Sequence, residues 1–407
     1  MKLPSHHWIS LLAVSIVFGG ASALRAQTFQ VVYSFEVFGT NGDSPHGGLI
    51  QASDGNFYGT TFYGGIWDFG TVFRMTPDGI VTVITSFDGS PQHPNTTLVE
   101  AGGALYGFTY AQGGGFTVTT NGDFTVGTNE LAGYLAADWI QARDGNLYAT
   151  DTSGGTNGGA YGDGGIVRMT LAGQITTIAS FNRTNAATQY ARYPYGRLLQ
   201  ASDGSFYGVA EGGYYGAGCI FRLTTNGVLT TVASFDGLNG KSPNGGLIEA
   251  NDGNFYGTCE EGGSNGENFE WMGTVFRMTP SGVITMLFAF TGGPGQGIGL
   301  FPGANPRAGL VQASDSNLYG TTAFRGTRGA GNIFRIVMPG PQLSISRAAD
   351  QLALSWRTNY TGFTLQFSST LSSSNWTDCT NSAAISGGKF WVTNPISSGA
   401  QFFRLRK

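Results

Sequence analysis

Aromatic side chains in glycine-rich segments are the groups of this chain best suited to binding chemistry, and carboxylate and guanidinium groups accompany them. A flat aromatic face stacks on the C–H face of a sugar ring, which makes such side chains suited to carbohydrate. The pattern predicts a polysaccharide-binding surface; the alternative is that the rings pack into their own loops. The predicted ligand-binding residues are Tyr63, Trp67, Asp68, Tyr161, Tyr214, Tyr215, Phe269, Trp271, Arg325 and Arg328.

Groups suited to catalysis are few. Beyond the N-terminal segment the histidines are His46 and His93, both between repeats. Glu260, Glu261 and Glu270 would serve a glycan-cleaving enzyme only if they pair in a pocket. Residues 262–266 fit the Gly-x-Ser-x-Gly pattern of a nucleophilic serine but lack its strand–turn–helix context. We therefore predict no catalytic residue, no metal ligand and no cofactor.

An aspartate in the first turn and an arginine in the third strand recur at equivalent positions of the repeats. They could form a ring of sites for carboxylated sugars or calcium, or they could make one structural contact in every repeat. The structural interpretation is favoured, because a feature that every repeat carries is most simply one that every repeat needs. The residues are Asp54, Asp144, Asp203, Asp252 and Asp315, with Arg74, Arg168, Arg222, Arg277 and Arg335.

Six degenerate copies of one motif must position these side chains. A shared tyrosine marks each copy, and successive tyrosines are 42 to 63 residues apart. A period in this range is typical of propellers and repeat arrays. The tyrosines are Tyr58, Tyr106, Tyr148, Tyr207, Tyr256 and Tyr319.

Each copy divides into four strand-sized pieces separated by Asp-Gly and similar turn signals. Four strands joined by hairpins make a propeller blade, whereas the parallel strands of a β-helix cannot be joined by two-residue turns. The sixth copy lacks its fourth strand, and residues 28–35 match the missing pattern. The sequence therefore predicts an all-β, six-bladed β-propeller closed by an N-terminal strand. In the second copy, a shortened, glycine-interrupted stretch at residues 116–126 takes the place of the last two strands, so the sequence does not establish a complete blade there.

Strand direction predicts two different rims. The first-to-second and third-to-fourth turns are tight and share one rim. The second-to-third and blade-to-blade loops are long, vary between copies, and share the opposite rim. Variable loops on a rigid scaffold usually carry function, so we expect the ligand site on the long-loop rim.

The two ends of the chain differ from the repeats. Residues 1–26 resemble a secretory signal peptide, with Lys2 before an apolar stretch and small residues after it. The expected organisation is the propeller over 27–338, a linker at 339–341 and a small β-sandwich over 342–407. We expect a secreted or cell-surface protein without a membrane span after the signal.

Composition limits the partners. Only 11% of the 407 residues are charged and the net charge is −4, which provides no basic face for nucleic acid. Three cysteines without close spacing argue against a disulfide framework or zinc site, although a Cys219–Cys259 bridge between neighbouring repeats is an alternative.

The repeat motif also resembles a known family. Residues 54–61 read Asp-Gly-Asn-Phe-Tyr-Gly-Thr-Thr, and residues 70–77 read Gly-Thr-Val-Phe-Arg-Met-Thr-Pro. Recurring in order, these motifs resemble the bacterial GloVer (Gloeo/Verruco) tandem repeats over about residues 28–338. The resemblance implies an exported bacterial repeat protein and brings no established activity. Residues 342–407 resemble small fibronectin type III-like modules.

Three functions follow as hypotheses. The first is an exported, non-enzymatic propeller that binds polysaccharide on the long-loop rim. The second is a propeller enzyme acting on glycans, since this fold hosts both kinds of work. The third is a surface or adhesive structural protein with no small ligand, whose C-terminal sandwich is the contact module.

Overall fold

The computed structural model describes residues 27–89, 91–111, 115–127, 139–155, 162–170, 173–182, 191–263, 272–290, 302–348, 350–358, 363–370, 375–396 and 401–406. Within these ranges all regular structure is β-strand, and no helix is long and apolar enough to cross a membrane.

The strands follow the repeats. β1 (Thr28–Glu36) comes first, and the first repeat forms β2 (Ile50–Gln51), β3 (Phe57–Thr61), β4 (Thr71–Met75) and β5 (Val81–Ser86). The second repeat forms β6 (Gln92–Pro94), β7 (Val99–Ala101), β8 (Ala104–Ala111), β9 (Gly115–Thr119) and β10 (Phe124–Gly127). The third forms β11 (Ile140–Gln141), β12 (Leu147–Asp151), β13 (Gly165–Met169) and β14 (Ile175–Ser180). The fourth forms β15 (Arg192–Gln200), β16 (Phe206–Glu211), β17 (Cys219–Leu223) and β18 (Leu229–Ser234).

The remaining strands complete the chain. The fifth repeat forms β19 (Leu247–Glu249), β20 (Phe255–Cys259), β21 (Thr274–Met278) and β22 (Ile284–Ala289), and the sixth forms β23 (Val311–Gln312), β24 (Leu318–Thr322) and β25 (Gly329–Val337). The C-terminal segment forms β26 (Ser344–Ala348), β27 (Gln351–Arg357), β28 (Thr364–Ser368), β29 (Thr377–Asp378), β30 (Ala384–Ser386), β31 (Lys389–Pro395) and β32 (Phe402–Arg406).

Each repeat folds into its own antiparallel sheet. In the first, the order β2-β3-β4-β5 follows the chain, so every neighbour is joined by a hairpin. Gly55 makes the tight turn possible, because its φ of 84° is a conformation that a side chain disfavours. The second and third strands are almost wholly buried, and their apolar side chains pack into the clusters between sheets.

The second repeat also forms a sheet, despite its compressed sequence. β9 pairs with β8 and β10, and β7 pairs with β8 as well. Phe116 and Val118 on β9 are buried against Phe87 of the first repeat. Alternating apolar side chains therefore keep the third strand in place where the usual motif is lost.

The N-terminal strand belongs to the sheet of the last repeat. β1 pairs antiparallel with β25, beginning with Thr28 opposite Val337, in the order β1-β25-β24-β23. Its aromatic side chains also face the neighbours on both sides. Phe29 stacks on Phe288 of the fifth repeat with 3.8 Å between ring centroids, and Phe35 packs edge-on to Phe73 of the first.

A recurring hydrogen bond joins neighbouring sheets. A glutamine or glutamate at or near the end of the first strand accepts a hydrogen bond from a backbone amide in the first turn of the preceding sheet. The bonds run from Ser53 to Glu100, Arg143 to Gln200, Ser202 to Glu249, Asn251 to Gln312 and Ser314 to Gln51, at 2.6–2.9 Å. The last of these joins the sixth repeat to the first.

The first strands surround a central channel. Its volume is about 480 Å³, and it is lined by residues from the start of several sheets, among them Ile50, Gln141, Leu199 and Val311. Antiparallel sheets of four strands, or five in the second repeat, around a channel make the repeat region a β-propeller. Glycines let neighbouring strands approach here: a Cβ atom on Gly245 would lie 2.3 Å from the backbone of Ala308.

The C-terminal strands form two sheets, in the orders β26-β27-β31-β30 and β29-β28-β32. Leu354 and Val392 from the first sheet share one apolar cluster with Leu365 from the second. Arg357 Nη1 donates a hydrogen bond of 3.1 Å to the backbone oxygen of Asp252 in the fifth repeat.

The alternative of a Cys219–Cys259 bridge is wrong. Both cysteines are buried and free. Each faces a threonine hydroxyl, and burial raises the pKa of the Cys219 thiol to about 12.

Candidate functional site

The strand pairing places the described parts of the second-to-third loops and the blade-to-blade loops at the same end of the propeller, here called the long-loop face. β3 and β4 run in opposite directions and are joined by residues 62–70, while β2 and β3 are joined by a tight turn at the other end. The long-loop face therefore carries Tyr63 and Trp67 and, among the described residues of later repeats, Tyr214 and Tyr215.

Trp67 and its loop are open to solvent. The Trp67 side chain is 62% exposed, and Ile66 and Tyr63 beside it are also exposed. The backbone under Trp67 is held in shape, since Gly64 N donates a hydrogen bond of 2.7 Å to Asp68 Oδ1. Asp68 thus fixes the loop that presents the indole ring.

The fourth repeat presents a second aromatic pair. Tyr214 and Tyr215 are 69% and 63% exposed and pack edge-on with centroids 4.9 Å apart. Tyr214 N donates to Ser234 Oγ at 3.2 Å, which ties the turn to the fourth strand of the same sheet. Both phenol rings are therefore displayed by a short, anchored turn.

The two predicted arginines have structural contacts. Arg325 lies in a left-handed conformation with φ of 62°, and its carbonyl accepts a hydrogen bond from Gly331 N at 2.7 Å. Arg328 forms an exposed ion pair with Glu36 on β1 at 3.6 Å. Tyr161, Phe269 and Trp271 lie outside the described residues, as does Glu270.

The blade-to-blade loops build a polar cluster that sequence reasoning missed. Each of five loops contains a residue with positive φ, then a proline, then a residue whose type varies among four kinds. The carbonyl of the first residue accepts a hydrogen bond from the backbone after the second strand, as Ser44 O does from Phe62 N at 2.9 Å. The variable side chains that follow the prolines are His46, Asn95, Tyr195, Asn244 and Arg307.

Arg307 links three of these repeats. Its Nε donates to Glu260 Oε1 at 2.9 Å, and its Nη1 donates to His46 Nε2 at 3.1 Å. The other oxygen of Glu260 accepts from Asn244 Nδ2 at 2.7 Å. The guanidinium also lies over the ring of Phe324, 5.1 Å from its centroid. We call His46, Asn244, Glu260 and Arg307 the loop cluster.

His46 is neutral in this setting. Burial, the Arg307 charge and the nearby His93 together lower the pKa of His46 to about 3. Because arginine can only donate, His46 Nε2 is the acceptor in their hydrogen bond. His46 therefore supplies an uncharged acceptor rather than a group that exchanges protons near neutral pH.

Phe62 connects the loop cluster to the predicted aromatic residues. The rings of His46 and His93 lie against Phe62 with centroids 4.4 and 4.7 Å away. His93 Nδ1 donates to Phe62 O at 2.8 Å, which fixes the orientation of its ring. Tyr63 packs edge-on to both Phe62 and His93, so one predicted ligand residue joins this stack.

Glu260 and Glu261 each make contacts with neighbouring side chains. Both oxygens of Glu260 accept hydrogen bonds from fixed donors, and Glu261 Oε2 pairs with Lys241 Nζ at 2.6 Å. Both glutamates are thus engaged in contacts with neighbouring side chains. Within the described ranges, no three His, Cys, Asp or Glu side chains are placed to hold a metal ion.

The recurring aspartates close their own turns. Asp54 accepts hydrogen bonds from Asn56 N at 2.9 Å and from Tyr58 Oη at 2.7 Å. Partial burial alone would raise the pKa of Asp54. The hydrogen bonds from Asn56 and Tyr58 outweigh it and hold that pKa below its ordinary value. Asp144, Asp252 and Asp315 repeat these contacts, and Asp203 also pairs with Arg222 at 2.8 Å. These contacts support the structural interpretation.

Comparisons with known structures give distant similarities. The chain is similar to virginiamycin B lyase from Staphylococcus aureus, with 16% identity, a TM-score of 0.42, and coverage of 80% of this chain and 96% of that one. It is also similar to a gluconolactonase from Xanthomonas campestris, with 13% identity, a TM-score of 0.48, and coverage of 78% and 91%. For regucalcin, a calcium-binding protein from Agrobacterium tumefaciens, the identity is 13%, the TM-score 0.47 and the coverage 77% and 94%. A search of curated protein sequences gave no match.

A family model matches most of the chain. The Gloeobacter/Verrucomicrobia repeat matches residues 21–192 and again residues 134–373. The two matches overlap and together span all six repeats and the start of the C-terminal segment. The chain therefore belongs to the Gloeobacter/Verrucomicrobia repeat family.

Proposed function

We propose that this protein is an exported, non-enzymatic propeller that binds a polysaccharide on its long-loop face. The observation that carries the proposal is the display of Trp67, Tyr214 and Tyr215 on anchored loops of that face, each more than 60% exposed. Large exposed aromatic side chains are costly to leave in water, and they are suited to stacking on sugar rings.

The charges on this face favour a neutral glycan over a strongly anionic polymer. Lys241 is paired with Glu261, Arg307 with Glu260 and Arg328 with Glu36. Paired cations offer little attraction to a polyanion, because each already has its counter-charge. Neutral hydroxyl groups can instead hydrogen-bond the amide and imidazole groups of the loop cluster.

The non-enzymatic part of the proposal rests on the glutamates. Glu260 is held between Arg307 and Asn244, and Glu261 is held by Lys241. Glycoside hydrolysis requires one carboxyl group that is protonated and another that is free to attack or to activate water. The contacts of Glu260 and Glu261 serve neither role.

The scaffold that we infer is a closed ring of six blades. The hydrogen bond from Ser314 to Gln51 repeats between the sixth and first sheets the bond found between other neighbours. The tilted packing of Tyr319 against Phe57 repeats that of Tyr207 against Phe255, with 4.5 Å between ring centroids in both. The same contact across the join supports closure, and β1 supplies the outer strand there.

Export and the C-terminal module complete the proposal. The charge, the apolar stretch and the small residues of segment 1–26 support secretion; that segment lies outside the described residues. The two C-terminal sheets share an apolar cluster, which supports a small sandwich of the fibronectin type III-like kind.

The test is a panel of immobilised polysaccharides, scoring retention of the mature protein and release of reducing ends in the same wells. The proposal predicts retention without release. Release would overturn the non-enzymatic proposal in favour of a glycan-cleaving enzyme. No retention on any polysaccharide would overturn the carbohydrate proposal and leave a surface-protein partner.

A further inference from the structure

The loop that leads from β1 into the first repeat is longer than its counterpart before the fifth repeat. Residues 35–39 read Phe-Glu-Val-Phe-Gly, whereas residues 235–237 read Phe-Asp-Gly. In both loops the carbonyl of the last of these residues accepts a hydrogen bond from a glycine amide in the second-to-third loop, at 3.0 and 3.1 Å, so the two glycines are equivalent. The fifth repeat is built without the two additional residues, so the fold does not require them.

Phe38 in the longer loop is exposed and has an unfavourable backbone conformation. It is 79% exposed, and its φ of 53° is disfavoured in a residue with a Cβ atom. Two hydrogen bonds fix this part of the loop: Phe38 N donates to Asp43 Oδ2 at 3.3 Å, and Gly39 N donates to Glu36 O at 2.8 Å. A strained and exposed aromatic residue that its surroundings hold in place indicates a binding role.

The longer loop is joined to the loop that carries Trp67. Gly65 N donates to Gly39 O at 3.0 Å, and two further backbone hydrogen bonds join the same loops at 2.9 and 3.0 Å. The residues next to these two glycines, Phe38 and Ile66, are therefore close to each other. Ile66 is 72% exposed and is followed by Trp67. We call the four exposed apolar residues of the two loops the first-repeat patch: Val37, Phe38, Ile66 and Trp67.

The polar side chains beside the first-repeat patch are engaged within their own loops. Asp43 is buried and accepts hydrogen bonds through both carboxylate oxygens. Asp68 accepts from a backbone amide of its loop, and Asn41 Nδ2 donates to Tyr33 Oη at 2.9 Å. The patch therefore presents mainly aromatic faces and aliphatic groups to a ligand.

A ligand for such a surface must itself present C–H groups. In a β-1,4-linked glucan the ring substituents are equatorial, so both faces of each ring consist of C–H groups and the chain is a flat ribbon. In an α-1,4-linked glucan the chain curves into a helix and presents no such extended face. Aromatic rings stack on C–H faces, which favours the β-1,4-linked chain.

We propose that the first-repeat patch binds the flat face of a β-1,4-linked glucan, with Phe38 and Ile66 as binding residues beside Trp67. This inference rests on the function proposed above, because it names the class of polysaccharide and the part of the long-loop face that binds it.

The test is retention of the mature full chain on microcrystalline cellulose and on granular starch, two insoluble glucose polymers that differ in linkage. The wild type should be retained on cellulose and washed from starch. Phe38→Gly should weaken cellulose binding about tenfold. Its urea midpoint should stay close to that of the wild type, because glycine is favoured at this φ and the ring is exposed. Ile66→Ala should weaken binding as well, without a change at the strained position.

Leu238→Ala is the matched control. Leu238 is 62% exposed in the corresponding loop of the fifth repeat, on the same face of the propeller. Its replacement should leave cellulose binding unchanged. Cellulose binding that is as tight in Phe38→Gly and Ile66→Ala as in the wild type, or an equal loss in Leu238→Ala, would overturn the assignment to the first-repeat patch.

The panel of polysaccharides separates failure of this inference from failure of the proposed function. Retention on starch as strong as on cellulose, or retention on other polysaccharides but not on cellulose, would overturn the β-1,4-glucan class and leave polysaccharide binding intact. No retention on any polysaccharide would overturn both.

Discussion

The neutral imidazole of His46 makes the stability of this protein depend on pH in a defined direction. His46 lies between the Phe62 ring and Arg307, whose Nη1 donates to its Nε2 at 3.1 Å. Protonation would remove that acceptor and place a cation against a guanidinium. The pKa of His46 is accordingly lowered from 6.5 to about 3, first by burial and then by Arg307.

The sign and size of the effect follow from the two pKa values. Because the folded pKa lies below the unfolded one, the unfolded chain takes up a proton first as the pH falls, and folding is destabilised between about 6.5 and about 3. From pH 7 to pH 5, the difference amounts to about 2 kcal/mol of unfolding free energy at most. The lowered carboxyl pKa of Asp54 acts in another window, since its contribution is lost only below its ordinary value of 3.8.

Urea unfolding of the wild type and of His46→Gln at pH 7 and pH 5 measures the effect. Glutamine can still accept from Arg307 but does not titrate. The stability of the variant relative to the wild type should rise by up to about 2 kcal/mol on going to pH 5. A relative stability that is the same at both pH values would refute the burial of a neutral His46 against Arg307. Arg307→Gln should reduce the pH dependence only in part, since burial is the larger cause.

Three further outcomes are expected. Gln51→Ala should lower the unfolding free energy by about 1–2 kcal/mol, because Ser314 N loses its acceptor between the last and first sheets. Gln141 makes no such bond among the described residues, so Gln141→Ala should lower the unfolding free energy less. Equal urea midpoints of the two variants would contradict closure. Tyr256→Phe should cost about 1–2 kcal/mol, since its buried hydroxyl donates to Asp252 Oδ2 at 2.7 Å; an unchanged midpoint would contradict that role. In a thiol-reagent assay on the folded protein, Cys379 should react before the two buried cysteines, and all three should react after denaturation; equal rates in the folded state would contradict the burial.

The strands of the repeats could be predicted because two local signals agree. Alternating apolar residues define strands such as β3, and the Asp-Gly turn before it needs the positive φ that Gly55 adopts. Both signals act over a few residues, so no knowledge of distant contacts is needed. The all-β fold and the propeller type follow from them.

The second repeat shows where those signals end. Its tight Asp-Gly turn is replaced by Gly102 and Gly103, and its last strand, β10, has 4 residues where β5 has 6. The sheet forms nevertheless because Phe116 packs against Phe87 of the neighbouring repeat with 5.1 Å between ring centroids. Such a contact between sheets cannot be deduced from the local sequence.

The candidate site was predictable only in part. The long-loop placement of Trp67 and Tyr214 follows from strand direction, and both side chains are exposed. The loop cluster was missed because its contacts join distant repeats: Arg307 and His46 are 261 positions apart in sequence. The one signal that could have indicated it is the side chain after each proline of the blade-to-blade loops, which varies while its neighbours repeat.

The measurement that tests the central claim most directly is the affinity of the wild type, Trp67→Ala and Ile80→Ala for the polysaccharide that is retained best. Trp67 and Ile80 belong to the same repeat and are 62% and 61% exposed, but they lie at opposite ends of the propeller. Binding on the long-loop face predicts that Trp67→Ala weakens affinity by about tenfold, or ~1.4 kcal/mol, while Ile80→Ala changes it little. Equal affinities of the three proteins, or a greater loss in Ile80→Ala, would contradict the assignment of that face.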